Sequence, residues 1–237
     1  MQNLLSTKKW IGFDLDNTLH EFRNASVQAS SSVFKAIVDE NPNVTIEILA
    51  STYSDILRWK TSDAFTDGRT SVEYRRERFS HLLQVHGLES TEKLLARLLV
   101  IYQDSLKTGL KLKPGAMELL KKLKARGKNI IVVTEGPQDA QEWTISELGL
   151  RPYIDVLVTT NDIGKSKVDG LFPIVMEKYH IAASDIVYVG DSEQRDIVSA
   201  RAAGMVTVLY DEKSNSQFDD SQAIRIDSLS KLGYLVD

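Results

Sequence analysis

The chain has 237 residues, of which 42% are hydrophobic and 26% are charged, a composition that argues against disorder along the whole chain. Its 29 basic and 33 acidic residues give a formal net charge of −4, so no strong positive field is available to hold nucleic acid or an anionic membrane. The absence of cysteine excludes disulfides, thiolate metal sites and cysteine nucleophiles. No apolar run approaches the roughly 20 residues that span a bilayer, and the first residues lack the apolar core of a signal peptide, which predicts a soluble cytoplasmic protein.

The predicted elements begin with a short strand, WIGF, at 10–13. From about 24 to 107 only helical spacing occurs, and four helices are predicted, at 26–39, 44–60, 71–86 and 91–107. After about 110 the pattern alternates between helices and nearly continuous apolar strands. Helices are predicted at 114–126, 137–148, 171–180 and 194–203, and strands at 129–133, 154–158, 186–189 and 205–209. The polar segment 211–220 is predicted to be a loop.

Apolar strands that alternate with helices predict a parallel sheet covered on both faces, a Rossmann-like α/β fold. The first strand belongs to the same set, so the helical block interrupts the α/β domain. We therefore expect an α/β core domain of residues 1–20 and 110–237 and an inserted, all-helical domain of residues 21–109. Both chain crossings between the two domains must lie at 21–24 and 109–114, and these segments are the predicted hinges.

Polar side chains follow four of the predicted strands, where ligands of open parallel sheets bind. They are Asp14 and Asp16 after the first strand, Thr134 after the second, Lys165 and Lys167 after the third, and Asp191 and Asp196 after the fourth. Two neighbouring carboxylates repel each other unless a cation or a proton compensates them. Carboxylate oxygens suit a hard divalent cation, and a hydroxyl and an ammonium suit phosphate oxygens. The set predicts a site for a divalent cation and a phosphoryl group.

These residues resemble four motifs of the haloacid dehalogenase superfamily. Residues 13–19, FDLDNTL, resemble its first motif, DxDxT, and residues 130–134, IIVVT, resemble the second, which ends in Thr or Ser. Residues 167–172, KVDGLF, resemble the third, whose lysine lies five residues before an aromatic, and VGDS at 189–192 with Asp196 resembles the fourth. All four occur in order, and the resemblance covers essentially the whole chain. The helical insertion resembles the C1-type cap of that superfamily.

The resemblance implies a phosphatase that uses Mg²⁺ and an aspartyl-phosphate intermediate. Asp14 would be the nucleophile, and Asp16 would protonate the leaving oxygen and later deprotonate water. The Asp14 carboxylate, the Asp16 backbone carbonyl and Asp191 would hold the metal. Asp196 would orient either the site lysine or a water on the metal, unless it only caps the following helix.

The remaining motif residues would bind the substrate. Thr134 would hydrogen-bond the transferred group, and Lys167 would offset its charge. The sequence departs from the pattern at Val168, where proline is usual, which leaves Lys165 as a competitor for Lys167. It departs again at Glu135, where asparagine is common. A carboxylate there could repel phosphate, bind a cation or turn outward into solvent, and we favour the last interpretation.

Substrate specificity is expected to come from the inserted domain. The polar loop at 66–71 loosely resembles a cap segment of N-acylneuraminate-9-phosphatase-like members of the superfamily, and Arg69 is a candidate ligand for a substrate carboxylate or second phosphate. The run RRER at 75–78 is interpreted as a solvated helix face. The expected partner is a small phosphorylated metabolite, with no membrane and no nucleic acid as a stable partner. A phosphomutase, a 2-haloacid dehalogenase-type hydrolase and a non-enzymatic phospho-ligand sensor are the alternatives.

Overall fold

The structure, a computed structural model, describes residues 6–60, 65–212 and 224–234. Within these residues six strands form one sheet in the order β3-β2-β1-β4-β5-β6, and all neighbours are parallel. The strands are β1 Trp10–Phe13, β2 Asn129–Thr134, β3 Val156–Thr159, β4 Ile186–Gly190, β5 Val206–Tyr210 and β6 Ile224–Ile226. The predicted α/β class with a parallel sheet is confirmed.

Four helices between β1 and β2 pack on one another, and we call them the helical insertion. They are α1 Phe22–Glu40, α2 Ile46–Lys60, α3 Ser71–Val85 and α4 Glu92–Gly109. Their buried side chains form a hydrophobic core separate from the two that flank the sheet. Thr70 caps α3 by accepting from the backbone N–H of Glu73, whose own side chain bonds back to Thr70. Thr91 caps α4 through the backbone N–H of Leu94.

Helices cover both faces of the sheet, as the apolar strands predict. They are α5 Ala116–Ala125, α6 Gln138–Glu147, α7 Thr160–Ile163, α8 Leu171–Lys178, α9 Ser199–Ala202 and α10 Leu229–Tyr234. The helix predicted at 194–203 is in fact a π-helical turn, Glu193–Val198, that continues into α9. A π-helical turn contains more residues than an α-helical turn. This one follows β4 at the carboxyl end of the sheet.

Two short elements at the end of the chain were not predicted, namely β6 and α10. Of the segment predicted as a loop at 211–220, residues 213–220 lie outside the described part of the chain. The two crossings into and out of the helical insertion run side by side, since the backbone N–H of Glu21 donates to Lys111 and that of Lys113 donates to Leu19, each at 2.9 Å. Among the helices of the described residues, none is long and apolar enough to cross a membrane.

Candidate active site

Lys167 lies between two carboxylates at the carboxyl edge of the sheet. Its Nζ is 2.6 Å from Oδ1 of Asp14 and 2.6 Å from Oδ1 of Asp196, and all three side chains are buried. Asp14 directly follows β1, Asp196 lies in the π-helical turn after β4, and β1 pairs with β4. The sheet therefore joins segments that are far apart in sequence. Lys165, the competing lysine, is exposed.

Asp196 is held by its surroundings on both oxygens. Its Oδ2 accepts from the backbone N–H of Ser192 at 3.0 Å, and its Oδ1 lies 3.3 Å from the Tyr188 hydroxyl. This position depends on two glycines. A Cβ on Gly190 would overlap the Asp196 carboxylate, and a Cβ on Gly12 would come within 2.7 Å of the Tyr188 ring. The strand glycines thus leave space for the side chains that position the lysine.

The cluster of Asp14, Asp191 and Asp196 carries more negative charge than Lys167 neutralises. One carboxylate oxygen from each aspartate lies within 4.8 Å of the others. The pKa of Asp14 is raised to about 8, mainly by burial. Asp196 adds to this rise, and Lys167 opposes it. Burial and Asp196 raise the pKa of Asp191. Such a cluster binds either a proton or a cation, and its oxygen donors fit a hard divalent cation.

The turn after β1 fixes the first two carboxylates in different ways. Asn17 adopts a left-handed conformation with φ of 65°, which asparagine tolerates, and the chain turns back toward His20. Thr18 donates to Oδ2 of Asp14 at 3.2 Å. Asp16 is not part of the acidic cluster, because its Oδ1 lies 2.8 Å from Nε2 of His20 and its side chain is 21% exposed.

Thr134, the last residue of β2, places its hydroxyl beside the same site. The side chain is fully buried, and its Oγ1 lies 3.4 Å from Oε1 of Gln141 on α6. Thr134, Asp14 and Lys167 all line one cavity. A hydroxyl, an ammonium and a carboxylate therefore share one cavity.

Glu135 does not turn outward into solvent, so that prediction is wrong. Its side chain is 12% exposed, and Oε2 pairs with Arg195 at 3.1 Å while Oε1 accepts from the backbone N–H of Lys167 at 3.2 Å. Arg195 lies 60 residues further along the chain, in the π-helical turn. Glu135 thus ties the segment that carries the lysine to the segment that carries Asp196.

The cavity has a volume of about 450 Å³ and lies between the sheet edge and the helical insertion. Among the described residues that line it, the sequence candidates are Asp14, Asp16, Thr134, Lys167, Asp191 and Asp196. The structure does not bring Arg69 to this lining. Its guanidinium pairs with Asp67 and Glu77, each at 2.7 Å, and it is 41% exposed.

Arg78 lines the cavity although the sequence analysis placed it on a solvated face, and that interpretation is wrong for this residue. Its side chain is buried, at 8% exposure. The signal was in the helical spacing, because Arg78 lies four residues from Tyr74 and four from Leu82, which are also buried. The presence of three neighbouring charges in the sequence masked that stripe.

The fold and the site together define an α/β enzyme with an acidic site at the carboxyl edge of its sheet. Residues 11–210 match the haloacid dehalogenase-like hydrolase family. The chain is 27% identical to a ribulose-1,5-bisphosphate 5-phosphatase from Halopiger xanaduensis, over 88% of this chain and 87% of that protein. It is 26% identical to a glyceraldehyde 3-phosphate phosphatase from Methanocaldococcus jannaschii, over 94% of this chain and 95% of that protein.

A solved structure of similar shape is that of the HAD-hydrolase YfnB from Bacillus subtilis bound to magnesium. It matches with a TM-score of 0.73 and 25% identity, covering 97% of this chain and 98% of that one. The protein belongs to the haloacid dehalogenase-like hydrolases, and these curated relatives place it in the phosphatase branch of that family.

Proposed function

We propose that this protein is a magnesium-dependent phosphatase that hydrolyses a small phosphorylated metabolite through an aspartyl-phosphate on Asp14. The buried cluster in which Lys167 lies 2.6 Å from both Asp14 and Asp196 carries the proposal. The activities named for the two curated relatives support the same chemistry. In this proposal residues 1–20 and 110–237 form the catalytic core, and residues 21–109 form a cap that excludes water from the site.

The reaction has two displacements at phosphorus. A carboxylate oxygen of Asp14 attacks the phosphorus atom, so that a P–O bond to Asp14 forms while the bond to the ester oxygen breaks. Asp16 gives its proton to that leaving oxygen, which departs as an alcohol. Asp16 then takes a proton from water as the water oxygen attacks phosphorus. The bond to Asp14 breaks, and inorganic phosphate leaves.

Two side chains bind the group in transfer, and two position the reacting groups. The Thr134 hydroxyl donates to a phosphoryl oxygen, and the Lys167 ammonium offsets the charge on the phosphoryl group and on Asp14. Asp196 positions Lys167, since it accepts from Nζ at 2.6 Å. Thr18 positions Asp14 by donating to Oδ2.

The acidic cluster fits a magnesium ion because it offers oxygen donors that one ammonium does not neutralise. Asp14, Asp191 and Asp196 would hold it with their carboxylates, and Asp16 with its backbone carbonyl. When bound, the ion supplies positive charge that lets an anionic ester approach an anionic nucleophile.

The proposal is tested by measuring inorganic phosphate released from phosphorylated sugars, nucleotides and small acids, with magnesium and with EDTA. We expect release that requires magnesium and disappears in Asp14→Asn, while the exposed Asp104 provides a control in Asp104→Asn. Turnover that persists in Asp14→Asn contradicts the proposal. An isomerised sugar phosphate without free phosphate would indicate a mutase, and turnover of a haloacid in EDTA would indicate a dehalogenase. Tight metabolite binding without turnover would indicate a sensor.

A further inference from the structure

The cavity is charged differently at its two ends. At the sheet edge the lining carries five carboxylates and two cations, namely Asp14, Asp16, Glu135, Asp191 and Asp196 with Lys167 and Arg195. From the helical insertion, the charged side chains among the described lining residues are all cationic, namely Arg23, Arg75 and Arg78. A substrate that is bound at the acidic cluster and also reaches α3 therefore meets positive charge there, from Arg75 and Arg78.

Arg78 is a buried cation without a counterion in the described part of the chain. It is 8% exposed, and its Nε and Nη2 have no hydrogen-bond partner. Its guanidinium lies beside aromatic rings, with Cζ 5.4 Å from the centroid of Phe65 and 5.7 Å from that of Tyr74. An arginine side chain carries a permanent positive charge in proteins. Leaving two donors of a buried guanidinium without acceptors is costly unless a ligand accepts from them.

The neighbouring arginines do not share this condition. Arg69 pairs with two carboxylates, and Arg76 pairs with Glu92. Arg75, which also lines the cavity, donates from Nη1 to Oε1 of Gln103 at 2.9 Å. The unpaired donors of Arg78 therefore set it apart from the rest of the charged run on α3.

We propose that Arg78 binds a second anionic group of the substrate, so that the preferred substrates are phosphomonoesters that also carry a carboxylate or a second phosphate. This inference rests on the proposed function, because the first phosphate is assigned to the acidic cluster. A guanidinium presents a planar fork of donors that matches either anion bidentately. The cavity of about 450 Å³ has room for a carbon chain between the two anions. Arg75 adds positive charge one turn earlier on the same helix.

Matched substrate pairs test the inference with each kind of anion. Glycerol 3-phosphate and 3-phosphoglycerate differ by a carboxylate, and ribulose 5-phosphate and ribulose 1,5-bisphosphate differ by a second phosphate. We expect the wild-type enzyme to favour the doubly anionic member of at least one pair in kcat/KM. Arg78→Gln should reduce that preference about 30-fold, mainly through KM, which is the size expected for a hydrogen bond to a charged group. Arg78→Lys should recover part of it, and Arg76→Gln should leave it intact.

Several outcomes would overturn the inference while the phosphatase function stands. One such outcome is a wild-type enzyme that favours neither doubly anionic substrate, and another is an Arg78→Gln variant that loses kcat/KM equally for both members of a pair. If circular dichroism shows that Arg78→Gln does not fold, the substrate preference is compared between the wild type and Arg78→Lys instead. If no substrate releases phosphate, the proposed function fails, and calorimetric binding of the same pairs decides the inference. Equal affinity of wild type and Arg78→Lys for the doubly anionic compounds would then refute it.

Discussion

The imidazole Nε2 of His20 lies 2.8 Å from Oδ1 of Asp16, and the His20 ring is fully buried. Its Nδ1 is also buried and has no hydrogen-bond partner among the described residues. A proton on Nε2 satisfies this contact, whereas a proton on Nδ1 would have no acceptor among the described residues. His20 therefore holds one oxygen of Asp16 and leaves the other for proton transfer.

Replacement of His20 should impair the proton-donor role of Asp16. We expect His20→Phe to lower kcat about 10-fold for an alkyl phosphate, a fraction of what general acid catalysis contributes. The loss should be much smaller for p-nitrophenyl phosphate, whose leaving group departs without a proton. His20→Gln, which keeps a donor, should recover part of the rate. Steady-state kinetics with the two substrates check this. Equal losses with both would mean that His20 supports only the fold.

Lys167 should matter for both catalysis and stability, whereas Lys165 should matter for neither. Lys167→Met removes the ammonium that faces the transferred group, and we expect kcat/KM to fall by roughly 10²–10³. It also leaves two buried carboxylates without their cation, which should lower the unfolding free energy by about 3 kcal/mol in EDTA. Phosphate-release assays and denaturant unfolding measure the two effects. A comparable loss in Lys165→Met would refute the assignment.

Gly190 should tolerate no side chain, because the Asp196 carboxylate occupies the space of its Cβ. Gly190→Ala should displace Asp196 and with it the Lys167 ammonium, and a displacement near 1 Å costs about 10² in rate. Gly233→Ala is a matched control, since nothing lies within 4 Å of a Cβ there. The measurement is kcat/KM with thermal unfolding alongside. Unchanged activity in Gly190→Ala would mean that the position of Asp196 is unimportant.

Asp139 links the helical insertion to a helix that covers the sheet. On α6, its Oδ1 accepts from the backbone N–H of Ser71 at 2.9 Å and its Oδ2 accepts from the Ser71 hydroxyl at 2.7 Å. Asp139→Ala should loosen the contact between α3 and α6 and raise KM about 10-fold, since hydrogen bonds to a charged group are lost. Glu142→Ala on the same helix is the control. Kinetics and small-angle scattering check the change, and unaltered KM and radius of gyration would contradict it.

Much of the architecture could be predicted from the sequence because local signals agreed with the fold. Apolar strands alternating with helices predicted a parallel sheet, and polar residues at strand ends predicted which side chains share its edge. In the structure Asp14, Thr134, Lys167, Asp191 and Asp196 line one cavity. β6 escaped prediction because three residues carry too little periodicity to distinguish a strand from a loop.

The two side chains whose environment was predicted wrongly depend on partners that are distant in the sequence. Glu135 was expected in solvent, but its orientation is set by Arg195 and by the backbone of Lys167. Arg78 was expected in solvent because it follows three other charged residues, whereas its burial follows from helix packing around a cavity. Neither the cavity nor an ion pair between residues 60 positions apart can be inferred from local spacing.

The most direct test of the account is to locate the phosphoryl group during turnover. Wild-type enzyme mixed with magnesium and excess substrate is quenched in acid, digested and analysed by mass spectrometry. We expect a phosphorylated peptide with the modification on Asp14, and no such peptide from Asp14→Asn treated in the same way. A phosphoryl group on another residue, or full turnover by Asp14→Asn, would contradict it.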